Sequence, residues 1–203
     1  MNNSRNKSMV KHLNAKKLQT LLDVPRKVAA LETLNDILDE LMKITTTELG
    51  ADRGTIFLND AETGELYSRV AQGNFHREIR LLNTSGIAGA VFQTGKSLII
   101  PDAYSDERFN KKKKKKTGYV TKSILCVPIK AAKNEIIGVT QVLNKKEGAF
   151  TEEDVMLLEA IATQAAIALQ STIFTERMNK FRSKEMAFFD VVAEATSEIN
   201  LGT

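Results

Sequence analysis

Several short clusters in this chain have the residue types to hold a polar ligand, and none has the layout of a catalyst. Arg53-Gly54-Thr55 opens a β-rich run with a guanidinium fork and a hydroxyl, a pair able to read hydrogen-bond acceptors. Gln72 brings an amide that both donates and accepts. Gly86-Ile87-Ala88-Gly89 begins a short helical run with Ser85 as its cap. A helix N-terminus offers free N–H groups and partial positive charge to a phosphate, and glycine lets the backbone come close. The spacing is that of neither a Walker loop nor a dinucleotide fingerprint. There is no paired His/Asp and no acid pair at readable spacing. His12, His76 and Cys126 do not make a convincing structural zinc site. Cys126 lies inside the apolar run Ile124 to Ile129 and reads as buried core.

The elements that must position these residues follow from periodicity. Val10, Leu13, Leu18, Leu21 and Leu22 predict a helix that Pro25 interrupts. Val28, Leu31, Leu34, Ile37, Leu38, Leu41 and Ile44 predict a second helix from about Arg26 to Leu49, stopped by Gly50. Thr55 to Leu58 and Glu65 to Ala71 read as a hairpin, with a third strand at Glu78 to Leu82. A short helix spans Gly86 to Thr94, and Ser97 to Ile100 is a strand. Asp106 to Lys116 is polar and helix-compatible. Ser123 to Lys130 and Ile136 to Leu143 are the strongest strands, antiparallel across a turn at Asn134. Pro128 places an edge or a bulge there. Thr151 caps a final helix, with Asp154 three residues on. If it runs on to the end, its roughly 45 residues span on the order of 65–70 Å.

Bulk properties narrow the function class. The chain has 203 residues, 42% hydrophobic and 27% charged, an ordinary composition for a soluble globular protein. No signal-peptide core or membrane-length apolar stretch is present, which fits a cytoplasmic protein without membrane contact. The net charge of +4 comes from the run Lys111 to Lys116; without it the balance is −2. Nucleic-acid binding is therefore not expected.

The order and spacing of Gly86-Ile87-Ala88-Gly89-Ala90-Val91, Thr94-Gly95-Lys96, Ile100-Pro101-Asp102 and Arg108-Phe109-Asn110 resemble a GAF domain. Thr117-Gly118-Tyr119-Val120-Thr121, Ser123 to Ile129 and Ile137-Gly138-Val139 extend that resemblance. It is closest to the regulatory domains of cyclic-nucleotide phosphodiesterases and bacterial adenylate cyclases. Their signature of Asn-Lys, a spacer, Phe, three residues and Asp-Glu is matched by Asn144, Lys145, Phe150 and Asp154, with Val155 in place of the last acid. The resemblance implies an α+β fold, a six-stranded antiparallel sheet flanked by helices. Residues 1–25 are then a helical extension, 26–170 the GAF domain, and 171–203 a linker and dimerisation helix.

The same resemblance implies the roles of individual residues. Lys145 and Asp154 should pair and hold the pocket's shape. Arg53 and Thr55 should touch a purine base. Gln72 stands, after Ala71, where guanine-binding relatives have an aromatic and an aspartate; an amide suits the N6/N7 pair of adenine. Ile87 and Ala88 should meet the phosphate, Asn110 its other side, and Thr117 and Thr121 the ribose and phosphate. Gln141 should face the cavity floor. Lys113 and Lys114 replace the usual Val-Asp, and a solvated lid is the plainer reading of that run. The expected function is a non-catalytic sensor with no cofactor, binding cyclic AMP in preference to cyclic GMP. It would signal to an output domain such as an adenylate cyclase and form a homodimer through its terminal helices, along a seam including Ile173, Met178, Phe181, Phe188 and Val192. The rival expectation is a nucleotide-free GAF dimerisation spacer.

Overall fold

The computed structural model of the chain describes residues 15–72, 78–109 and 119–200. The β-rich runs become strands β1 (Ala51–Asp60), β2 (Glu65–Ala71), β3 (Arg80–Leu82), β4 (Leu98–Ile100), β5 (Ile124–Lys130) and β6 (Ile136–Lys145). They form one six-stranded sheet in the order β3-β2-β1-β6-β5-β4, and each pairing is antiparallel. The β5–β6 hairpin turns through Lys133 and Asn134, both at positive φ, as the Asn134 turn predicts. Pro128 sits in an interior strand, yet β4 pairs only with Ile124 to Cys126. Among the described residues no strand pairs with the outer side of β5 beyond Cys126, so the missing N–H costs no ladder bond there.

Each face of the sheet is covered by helix. On one face α2 (Leu34–Glu48) buries Leu38, Leu41 and Met42. Gly54 belongs to this face: a Cβ there would come within 1.8 Å of the Met42 sulfur. On the other face α3 (Gly86–Thr94) packs Ile87, Ala88 and Val91 against Phe57, Ile124, Cys126 and Val139. Gly138 lets the two central strands meet, since a Cβ there would lie 2.2 Å from the Phe57 carbonyl oxygen.

The N-terminal helices divide differently from the expectation. α1 (Ala15–Ala29) runs through Pro25, and the chain breaks before α2, at Thr33. The Thr33 Oγ1 accepts from the Asp36 N–H at 3.1 Å and donates to the Asp36 carboxylate at 2.5 Å. That reciprocal cap fixes the start of α2, while Pro25 forfeits a single helical bond. Residues 106–109 are turn, not helix, because Asp106 accepts from the Arg108 N–H and its guanidinium. Such local bonds compete with helix formation.

α4 spans Glu152–Asn200. The chain divides into two units, Met1–Ile167 and Ala168–Thr203. The first contains the sheet and the buried start of α4, including Leu157, Leu158, Ile161 and Ala165. The second consists of the remainder of the helix, with Met178, Phe181 and Met186 exposed.

Replacing Gly138 by alanine should cost about 1–3 kcal/mol, because backbone must move to admit the methyl group. Urea unfolding followed by circular dichroism measures this; an unchanged midpoint would contradict the close approach of β1 and β6.

Candidate functional site

Strand register brings three of the expected residues together. Thr55 pairs with Gln141, and Arg53 with Leu143. Opposed residues, and residues two apart on a strand, share a face. Arg53, Thr55 and Gln141 therefore lie on the α3 side, with Ala71 opposite Thr55 and Cys126 opposite Gln141. This makes a polar row beside an apolar floor. Among the described residues, no hydrogen bond takes up the side chains of Arg53, Thr55, Gln141 or Thr121.

The floor helix supplies a second element. Ile87 and Ala88 are buried in the core, so their side chains pack while their backbone N–H groups sit in the first turn of α3. Ser85 forms the cap through its backbone: the Gly89 N–H donates to its carbonyl, and its side chain makes no capping bond. First-turn N–H groups have no helical acceptor.

Gln72 is placed elsewhere. Its Oε1 accepts from the Gly54 N–H at 3.0 Å, and its Nε2 reaches Thr46 Oγ1 at 3.5 Å. Those bonds draw the amide toward α2, away from the Thr55–Gln141 row. The expected contact of Gln72 with an adenine edge is therefore not the arrangement found. Gln72 and Arg53 instead border an open cleft of about 440 Å³ with Thr46, Thr47, Ala51, Asp52 and Lys146. Asn110, Lys114 and Thr117 lie outside the described residues, as does the whole lysine run.

The Asn144–Asp154 signature is a structural lock. The Lys145 ammonium pairs with the Asp154 carboxylate, whose side chain is 2% exposed against 18% for the lysine. The same carboxylate oxygen accepts from the Thr151 N–H at 2.9 Å and its hydroxyl at 3.3 Å. The lysine also lies 5.5 Å from the centre of the buried Phe150 ring. Val155, where the resembled signature has an acid, is buried. One step earlier, Asn144 has φ +55°, a conformation that asparagine tolerates better than most residues. Its Oδ1 accepts from the Lys122 and Ser123 N–H groups at 2.6 and 3.3 Å. Its Nδ2 donates to the Val120 carbonyl and the Tyr119 hydroxyl at 2.8 and 2.9 Å. Two neighbouring residues thus tie segment 119–123 and the start of α4 to the end of β6.

Tyr119 is the residue that the sequence reading left without a role. Its ring carries the Arg53 guanidinium, 3.9 Å from the ring centre. Burial, helped by the Asp52 carboxylate, pushes the phenol above its ordinary range despite Arg53 and the Asn144 bond, so the hydroxyl stays protonated at neutral pH. The usable signal was an aromatic between Gly118 and Thr121. Cys126 is fully buried, which raises its thiol far above the usual range. This agrees with a core cysteine.

Known proteins resemble this chain in two ways. A family model described as GAF domain matches residues 33–169. A Caenorhabditis elegans protein named "Probable 3',5'-cyclic phosphodiesterase pde-5" is 33% identical over 186 residues, covering 85% of this chain and 25% of that protein. The Drosophila melanogaster dual 3',5'-cyclic-AMP and -GMP phosphodiesterase 11 is 32% identical over 183 residues, covering 77% of this chain and 13% of that protein. The chain thus spans a quarter or less of these relatives. Among solved structures, the GAF domain of an Acinetobacter phosphoenolpyruvate-protein phosphotransferase superposes with TM-score 0.70 at 20% identity, over 81% of this chain and 99% of that one. The corresponding domain from Coxiella burnetii gives 0.72 at 20% identity, over 79% and 96%. At that identity the structures speak for the fold alone.

Replacing Lys145 with methionine strands the buried Asp154 charge and should cost about 3 kcal/mol, read from denaturant unfolding; a loss below about 0.5 kcal/mol, the scale of an exposed pair, would refute the lock. Cys126 should resist maleimide in the native protein and react fully in denaturant, as mass spectrometry would record. Rapid native labelling would contradict its burial.

Proposed function

The chain belongs to the GAF domain family, and from that premise we propose that it is a regulatory sensor that binds a 3',5'-cyclic nucleotide. The observation that carries this reading is the polar row Arg53, Thr55 and Gln141, on the face of the sheet that α3 covers and with its side-chain donors and acceptors unspent among the described residues. An arginine fork, a hydroxyl and an amide can read a purine edge, and a helix N-terminus suits a cyclic phosphate. Thr121 adds a hydroxyl from the segment that Asn144 holds. Asn110, Lys114 and Thr117 would complete the site from the lysine-run side.

We keep cyclic AMP as the proposed nucleotide on the Thr55 hydroxyl, which accepts from N6 while Arg53 donates to N7; the arginine fork by itself suits the O6/N7 edge of guanine equally. Gln72 no longer supports that preference. The similarity to proteins named as cyclic-nucleotide phosphodiesterases favours a phosphodiesterase output over the adenylate cyclase expected from the sequence. We read the chain as cytoplasmic and membrane-free; among the described residues no helix is long and apolar enough to cross a membrane. Exposed Met178 and Phe181 on α4 support a homodimer through that helix. A nucleotide-free dimerisation spacer is the second reading, favoured by Ala71, which puts no ring beside Thr55.

Calorimetry with cyclic AMP and cyclic GMP tests the proposal. Binding of cyclic AMP, weakened about tenfold or more by Arg53→Ala as befits a charged hydrogen bond, is the expected result. No heat with either nucleotide at millimolar concentration would leave the spacer reading.

A further inference from the structure

We infer that Tyr119 is the positioning residue of the site: it holds the Arg53 guanidinium by its face so that the N–H edge is presented to the ligand. The inference rests on the reading that Arg53 meets the nucleotide. A free arginine side chain has many rotamers, and fixing one on binding costs affinity. Stacking on an aromatic ring removes that freedom without spending a single N–H donor, because the donors lie in the guanidinium plane. The geometry has this form. Arg53 Cζ lies 3.9 Å from the Tyr119 ring centre, and no hydrogen bond or ion pair among the described residues engages its N–H groups.

The ring is itself held. Its hydroxyl accepts from Asn144 Nδ2 at 2.9 Å, and Asn144 is buried. The next residue, Lys145, is paired with Asp154 at the start of α4. Arg53 is thus coupled, through one ring and one amide, to the lock rather than to the solvent. This assigns the Tyr119 side chain a function that the Thr-Gly-Tyr context alone does not reveal. It also compensates for Ala71: the aromatic group at this corner comes from segment 119–123, and it serves the arginine.

The test combines a spectroscopic and a binding readout on the full chain. In the free wild-type protein, NMR should show the Arg53 side-chain methylenes shifted upfield by the Tyr119 ring, and the shift should vanish in Tyr119→Leu. An unshifted Arg53 in the wild type overturns the inference whether or not nucleotide binds. Calorimetry then gives a double-mutant cycle. Tyr119→Leu should weaken cyclic AMP binding about fivefold to tenfold, between the scales of an exposed and a fully desolvated cation–π contact, as befits two half-buried side chains. Tyr119→Phe, which keeps the ring, should retain most of the affinity. In an Arg53→Ala background, Tyr119→Leu should have no further effect. An additive cycle with binding intact would overturn the positioning role and leave the nucleotide reading standing. A shifted Arg53 in a protein that binds neither nucleotide would sink the nucleotide reading and leave the stack in place.

Discussion

The Lys145–Asp154 ion pair and the adjoining Asn144 amide are the contacts on which the rest of the site depends. A buried carboxylate is costly unless paired and hydrogen-bonded, and Asp154 is both. It fixes where α4 starts relative to the end of β6. Asn144, at the same strand end, fixes where segment 119–123 enters β5. The sheet itself holds the end of β6, through the Asn144 N–H on the Ser123 carbonyl at 2.9 Å and the Lys146 N–H on the Gly50 carbonyl at 2.8 Å; the two side chains carry that order on to segment 119–122 and to α4.

With those two ends fixed, the remaining placement follows from register. Gly138 lets β1 and β6 lie close, and that pairing brings Thr55 opposite Gln141. The face so formed is apolar under α3 and polar at the Arg53 end. Such a combination suits a planar, phosphate-bearing ligand: an apolar floor for the ring and a few directed polar groups for orientation. The other face is spent on α2 and on packing, and it captures Gln72 as well.

Much of the fold was legible in the sequence. β2 and α3 fall at the bounds predicted from patterning, and the Asn134 turn and the Lys145–Asp154 pair occur as expected. The errors have physical causes. Pro25 reads as a stop because the proline rule is local, whereas the break is set by the Thr33–Asp36 cap. The bond from the Gly54 N–H to the Gln72 amide was not legible either, because it joins residues 18 apart that no strand pattern relates. Tyr119 and the reach of Asn144 depend on contacts across 20 or more residues, which no periodicity encodes.

We propose that ligand engagement at the polar row is transmitted through Asn144 and the Lys145–Asp154 pair to segment 119–123 and the start of α4. Amide hydrogen exchange with and without cyclic AMP addresses it most directly. Added protection is expected at Lys122, Ser123 and the first turn of α4, lost in Asn144→Ala. Protection confined to the cleft between Thr46 and Gln72, with no change at residues 119–123, would contradict it.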